Sequence, residues 1–583
     1  MRASPTGAAV LLAAALALAL LLTGLGRAPF DDPGEGQHAE IAREMWSTRD
    51  WLTLRLNGVR YFDKPPLLYW LAAGAFALLG PSEWAARLVP VAGAVLAVAG
   101  TAILGARLLG ARAGFYAGAA LLSAPLFTAF ARYVRPETLF LAGIQWGMAG
   151  LLLAAREAGG AGRGWAMGGA LALGLAALSK DPLGLVGPLA AVAVALTLSG
   201  QARPVARWLP WRGLGLMLLV GLGWYAMASL ANAGYLWYTV VDNHVLNAAR
   251  LRHFPDEDVP LGAAEFLVVG ALGALPWIPA AALTVVRLAR RRAWRSPEEA
   301  PWVALALWLL GSLGLVALVP FRLPQYALPA YPALALLAAR GWRETEHGAR
   351  GLLIAQAALY ILIAAVCGIA AWSDGRAFTD AVFSVTDVYA RKEAVLGQAA
   401  PVPPWGELRP LVFRTGLVAL LGAAGLHAAL GAPRLRRWGP AVALGTALLL
   451  APSVTAGLDR VASWRAVAAL AAEARRELGP SDLLVHEGPI ENSGALEWYA
   501  GRRPVLLDAR RSVLAFGATF PEAREIFWDA ERFRREWLGS RRLVHVTTRA
   551  PERSLLRGLP AERVRLLAAG DGRWLFASVP ASR

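Results

Sequence analysis

Cysteine is all but missing, with one in 583 residues, so neither an internal disulfide framework nor a thiolate cluster for a metal can be built. Charge is scarce too, at 17% of residues, and lysine occurs only as Lys64, Lys180 and Lys392. What fills the chain is apolar: 57% of residues are hydrophobic and the mean hydropathy is +0.46. That is well above the apolar share of soluble domains and marks a membrane protein. The formal net charge of +17 would suggest nucleic acid in a soluble protein. Here the arginines lie between apolar runs, and no nucleic-acid partner is expected.

Uncharged runs long enough to cross a hydrocarbon core extend from Ala8 to Gly26, Leu88 to Ala106, Pro301 to Phe321, Gly351 to Ser373 and Trp438 to Leu458. Others, broken by a polar residue or proline, lie near 113–130, 138–155, 165–180, 183–200, 213–231, 263–286, 325–339 and 410–430. The expectation is about thirteen crossings. The first run is too long for a signal peptide, and no small-residue cleavage site follows it. Arginines gather on alternate loops: Arg107 with Arg112, Arg156 with Arg163, Arg203 to Arg212, Arg287 to Arg295, Arg340 to Arg350, and Arg434 to Arg437. Short cytoplasmic loops keep positive charge, so these loops are read as cytoplasmic. Loops 27–87, 131–137, 232–262 and 374–409, together with everything after Asp459, then face outward. The chain divides into a membrane domain, 1–458, with interfacial helices in the external loop 27–87, and a soluble extracytoplasmic domain, 459–583. The second domain is charge-rich and reads as α/β. Strands are expected at Leu483 to His486, Pro504 to Leu507, Leu543 to Thr547 and Trp574 to Val579, and helices at 461–478, 492–500 and 521–537.

Polar chemistry collects in the outward loops. Asp31, Asp32, Glu35 and Glu40 crowd the first, followed by an amphipathic helix over 39–46 read as lying at the membrane surface. Lys64 precedes Pro65 and Pro66, which force it out of helical conformation and fix a cation where the chain re-enters the interface. Glu137 stands immediately before a span, near Arg135. Asp242 and His244 lie in loop 232–262, where a histidine with carboxylates is a possible divalent-metal ligand set. Arg322, Gln325 and Tyr326 form the last cluster.

Three passages resemble the polyprenyl-phosphate-sugar-dependent glycosyltransferases of the GT-C fold, specifically the aminoarabinose transferase and protein mannosyltransferase group. They are Ala39-Glu40-Ile41-Ala42-Arg43-Glu44-Met45; Asn57-Gly58-Val59-Arg60-Tyr61-Phe62-Asp63-Lys64-Pro65-Pro66 with Tyr69-Trp70; and Leu323-Pro324-Gln325-Tyr326 with Leu328-Pro329. Ser179-Lys180-Asp181-Pro182 looks like the family's Thr-Lys-Gly-Pro turn. The resemblance implies a mainly α, polytopic GT-C membrane protein with a C-terminal α/β domain. It implies an inverting transfer of a hexose or pentose from undecaprenyl phosphate, at the outer face of the cytoplasmic membrane, to a lipid (as in lipid A modification), glycan or protein acceptor. Lys64, Tyr326 and Arg322 would hold the donor phosphate. A carboxylate would act as general base, and a divalent cation (Zn, Mg or Mn) would map to Asp63 and His244. The sequence departs from the family where its catalytic Asp is usual, because that place holds Gly34. Glu35 and Asp32 are then the first substitutes, Glu137 the next and Asp181 the last. A carrier-binding relative without activity and a lipid-linked-sugar transporter remain the alternatives. The second would place charges in broken helices near the midplane rather than in external loops.

Overall fold

The computed structural model describes residues 4–157, 159–255, 259–344, 350–395, 401–432, 434–570 and 572–580. All thirteen apolar segments are helical. Eight helices among the described residues are long and apolar enough to cross a membrane, and the pair Ala263–Gly273 and Ile278–Arg290, bent by 109°, makes a ninth. The remaining expected crossings are shorter or less apolar. Segment 113–130 is split into two helices, and 183–200 and 325–339 yield Val186–Leu198 and Tyr331–Glu344. Prolines cause the breaks: Pro125 and Pro182 open new turns, and Pro324 and Pro329 hold a 3-10 stretch ahead of Tyr331.

The part that matters for the site starts with α1 (Pro5–Leu22), α2 (Gly36–Thr48), the hairpin β1 (Arg55–Leu56) and β2 (Val59–Arg60), α3 (Leu67–Leu79) and α4 (Glu83–Leu109). It continues with α5 (Ala111–Leu122), α6 (Pro125–Phe130), α7 (Glu137–Arg156) and α8 (Gly159–Ser179). Helix α7 lies at the centre, with almost every residue buried. In lipid, helices associate through close packing of small residues. Accordingly Gly150 of α7 faces Gly169 of α8 so closely that a Cβ on Gly150 would lie 2.5 Å from the Gly169 Cα.

The C-terminal domain is a six-stranded sheet in the order β5-β4-β3-β6-β8-β7. Its strands are β3 (Leu483–Glu487), β4 (Val505–Leu507), β5 (Phe527–Trp528), β6 (Leu543–Thr547), β7 (Val564–Gly570) and β8 (Arg573–Ser578). The first four in spatial order pair in parallel, and β8 and β7 complete the sheet antiparallel. The four expected strands are present. β5 and β7 are additional, and the helix expected over 521–537 is confined to Ala530–Trp537, where Asp529 caps it by accepting from the Arg532 amide. The boundary at 458/459 falls inside the long helix Gly439–Arg465, after which the helix Ala468–Glu477 leads to the sheet.

This domain sits on loop 27–87. Asn57 Nδ2 donates to the Pro504 carbonyl at 3.0 Å, Arg60 pairs with Glu522 at 2.5 Å, and Arg43 bridges Glu40 and Glu497. Helix α2 is therefore not a surface helix. Its residues from Gly36 to Glu40 are all buried, because the C-terminal domain covers the polar face that the sequence pattern leaves to solvent.

Candidate functional site

One cluster of charged side chains forms where α2, α3, α7 and the end of α8 meet. Glu137 opens α7 after Pro136, at the helix end that favours an anion. It is buried, and its Oε1 accepts from Lys180 Nζ at 3.3 Å. Its Oε2 lies 3.9 Å from Arg135 Nε. Lys180 follows α8, and its ammonium stands 4.6 Å from the centre of the Tyr326 ring. This cation–π contact joins the Leu-Pro-Gln-Tyr segment to the acidic one.

His38, on the first turn of α2, closes the cluster from the other side. Its Nδ1 is 2.8 Å from the Tyr69 hydroxyl, while its Nε2 is buried and has no protein partner among the described residues. Burial, with Arg135 and Lys64 within electrostatic reach, holds the imidazole well below its usual range, so it is neutral at physiological pH. Lys64 lies where the two prolines delay the start of α3 until Leu67, its ammonium donating to the Asp63 carbonyl at 3.2 Å. The structure thus brings together Lys64, Glu137 and Tyr326 from the sequence-derived set, with Lys180, Arg135, His38 and Tyr69 added.

Other candidates occupy different ground. Glu35 is 2% exposed and wholly engaged. It forms a double ion pair with Arg87 at 2.9 and 2.6 Å and accepts from the amides of Val134 and Asp31 at 3.0 and 3.1 Å. Asp32 is fully buried and accepts from the amides of Val467 and Ala495 at 3.1 and 3.2 Å, tying the loop to the C-terminal domain. Both carboxylates are thus held by donors of the protein itself. Arg322 spends its donors on the carbonyls of Leu261, Ala317 and Val319.

Asp63 accepts from the Tyr238 hydroxyl, and Tyr238 stacks on Phe516 of the C-terminal domain with centroids 4.5 Å apart. His244 sits on a π-helical turn, Tyr238–Leu246, with Nε2 3.0 Å from Asp181. That contact raises its pKa. Asp63 and His244 therefore have separate partners, and no three His, Cys, Asp or Glu side chains among the described residues are grouped to hold a metal ion. This donor set does not fit the expected cation, and no step is routed through one.

The geometry also explains Gly34. A Cβ there would lie 1.8 Å from the Tyr133 hydroxyl, which occupies the space to donate to Asp31 at 2.5 Å. Gly34→Ala is expected to destabilise the protein by about 1–3 kcal/mol through this overlap. The pair Gly34→Ala with Tyr133→Ala should recover part of that loss, read as thermal midpoints in detergent.

A second expectation concerns Asp32, whose carboxyl burial pushes up to about 7 from an ordinary 3.8. Between those values the folded chain holds a proton that the unfolded chain has lost, so this group's contribution to stability falls as pH rises from about 4 to 7. Asp32→Asn should remove that component. The difference in thermal midpoint between wild type and variant, followed across this window, checks it, and a constant difference would contradict it.

Residues 63–225 match the family model of dolichyl-phosphate-mannose-protein mannosyltransferase. An undecaprenyl phosphate-alpha-4-amino-4-deoxy-L-arabinose arabinosyl transferase of Sodalis glossinidius is 28% identical over 535 residues, 87% of each chain. One from Pseudomonas aeruginosa is 30% identical over 315 residues, 52% of this chain and 54% of its own. The crystal structure of ArnT from Cupriavidus metallidurans, bound to undecaprenyl phosphate, superposes with a TM-score of 0.79 at 23% identity, covering 98% of each. The chain has the ArnT fold. The GT-C likeness read from the three motifs stands, and two of those passages, around Lys64 and around Tyr326, come together at Lys180 in this ArnT-like membrane domain.

Of the residues missed in the sequence, Lys180 had a signal: a lysine at the end of an apolar run is conspicuous in a chain with three lysines. His38 had none beyond its place in an acidic loop. Arg87 was hidden at the edge of an apolar run.

Proposed function

We propose that this chain is an integral-membrane glycosyltransferase that moves a sugar from undecaprenyl phosphate to a lipid acceptor at the extracytoplasmic face of the membrane. The observation that carries the reading is the pair Lys180 and Arg135 on one carboxylate, Glu137, at the end of a buried helix, with Lys64 within electrostatic reach of Lys180. A carrier phosphate is the leaving group, and buried cations stabilise the charge it gains as the glycosidic bond breaks. In this reading Lys64 and Lys180, the second held over the Tyr326 ring, supply those cations.

Glu137 is the acid in this cluster. A bound phosphate competes for Lys180 and Arg135 and so frees the carboxylate to take the proton of the acceptor's nucleophilic oxygen as the new bond to the anomeric carbon forms. His38, neutral and hydrogen-bonded to Tyr69, holds the wall opposite without adding charge. The relatives named for aminoarabinose favour a pentose donor, and lipid A is the lipid acceptor that the family resemblance implies. The C-terminal domain, through Phe516 on Tyr238, reaches the residues next to Lys64 and would shape the acceptor's path.

The test is to incubate the purified full chain in lipid with undecaprenyl-phosphate-linked aminoarabinose and lipid A and to identify products by mass spectrometry. A glycosylated lipid A supports the reading. Turnover only with another sugar or acceptor corrects the substrate, and no transfer from any polyprenyl-phosphate sugar, with the donor still bound, favours the inactive carrier-binding relative.

A further inference from the structure

A second concentration of positive charge lies at the opposite end of the membrane domain from the site. Helix α7 has 20 residues, so about 30 Å separates Glu137 from Arg156. Arg156 donates to the Glu298 carbonyl at 3.4 Å, and the next residue, Glu299, lines a cavity of about 200 Å³. Its other polar walls are Thr284, Arg287, Arg291, Ser296, Arg340 and Glu344.

The acids of this cavity are already neutralised. Arg340, 8% exposed, grips both oxygens of Glu299 at 2.5 and 2.9 Å and reaches Glu344 at 2.6 Å. Arg287 meets the second Glu344 oxygen at 3.3 Å. Arg291 is exposed and makes no ion pair or side-chain hydrogen bond among the described residues, nor do Arg290, Arg292 and Arg295 beside it. Three guanidinium groups against two carboxylates leave the cavity positive. Insertion topology accounts for arginines in such a loop, but not for a cavity with a buried arginine fixed beneath it.

We propose that this cavity binds the phosphate of an anionic phospholipid headgroup, with Arg287 and Arg291 as its direct ligands and Arg340 as a positioning residue. Guanidinium forks suit phosphate oxygens, and basic pockets between helix ends are where lipid headgroups lodge. A lipid is favoured over a free anion because the cavity stands at the end of the apolar helix Ile278–Arg290, half of the bent pair long and apolar enough together to cross a membrane, so acyl chains can lie along the helices that carry the charges.

Native mass spectrometry of the detergent-purified full chain, titrated with phosphatidylglycerol, tests this. Phosphatidylcholine serves as the zwitterionic control and inorganic phosphate as competitor. Wild type should retain one phosphatidylglycerol in preference to phosphatidylcholine. Arg287→Gln with Arg291→Gln should weaken it by about 30-fold, and Arg291→Gln alone, which breaks no ion pair, by about fivefold. Arg290→Gln with Arg295→Gln removes the same charge from the same segment outside the cavity and should change binding by less than about threefold. Equal losses in both double variants, or equal retention of phosphatidylcholine, would overturn the proposal. Displacement by inorganic phosphate would convert the cavity to a free-anion site and overturn the lipid assignment.

Discussion

Glu137→Gln is expected to lower sugar transfer by about 10²- to 10⁴-fold, the range for loss of a positioned general base. Glutamine keeps the size of the side chain and an oxygen for Lys180, so the fold should persist, but it accepts no proton. The direction of donor binding distinguishes this role from a scaffolding one. In the resting site Glu137 holds Lys180 at 3.3 Å and faces Arg135 at 3.9 Å. Removing its charge leaves both cations readier for a phosphate, so donor KM should stay level or fall while kcat collapses. Lys180→Ala should show the converse, a raised donor KM with the carboxylate still in place. The measurement is initial rate against donor concentration, by product mass spectrometry. If Glu137→Gln instead raises donor KM and leaves kcat near wild type, the carboxylate serves only to position Lys180, and the base lies elsewhere.

The sequence revealed which loops carry the chemistry more readily than which side chains within them do. Lys64 and Tyr326 belong to motifs with fixed local geometry, prolines beside each, and the structure places both at the cluster. Glu35 and Asp32 lie in the acidic loop just ahead of the first motif, yet their partners are Arg87, 52 residues away, and the amides of Val467 and Ala495, more than 430 residues away. Nothing local distinguishes a carboxylate that meets a substrate from one that anchors two domains. Helix α2 teaches the same point, since its amphipathic pattern describes the membrane domain alone and not the domain that later covers it. In the sheet, β3 and β6 are continuous apolar runs buried on both faces and were legible as such. β7 is half exposed along its length, and β5 has only two residues, so neither produces a pattern without its neighbour.

Arg87→Met should be the most destabilising of the substitutions considered, by about 3–5 kcal/mol, because it leaves the Glu35 carboxylate buried without its counter-ion. Arg87 does more than pair. It also donates to the carbonyls of Leu25, Ala28 and Pro29, at 3.2, 2.7 and 2.8 Å, and so fixes the turn that leads from α1 into the acidic loop. Glu35→Gln should cost less, since Arg87 keeps those three acceptors and the glutamine oxygen still receives an amide. The double variant should be less destabilised than the sum of the singles, with a coupling of about 0.5–3 kcal/mol. Thermal or denaturant unfolding in detergent measures all three. The same series decides the catalytic standing of Glu35. A general base would leave Glu35→Gln inactive even where it is fully folded, whereas an anchor predicts transfer within about tenfold of wild type, assayed well below the variant's melting temperature. Loss of transfer by a hundredfold or more in a folded Glu35→Gln protein would return the base to the acidic loop before α2 and reduce Glu137 to an electrostatic partner of Lys180.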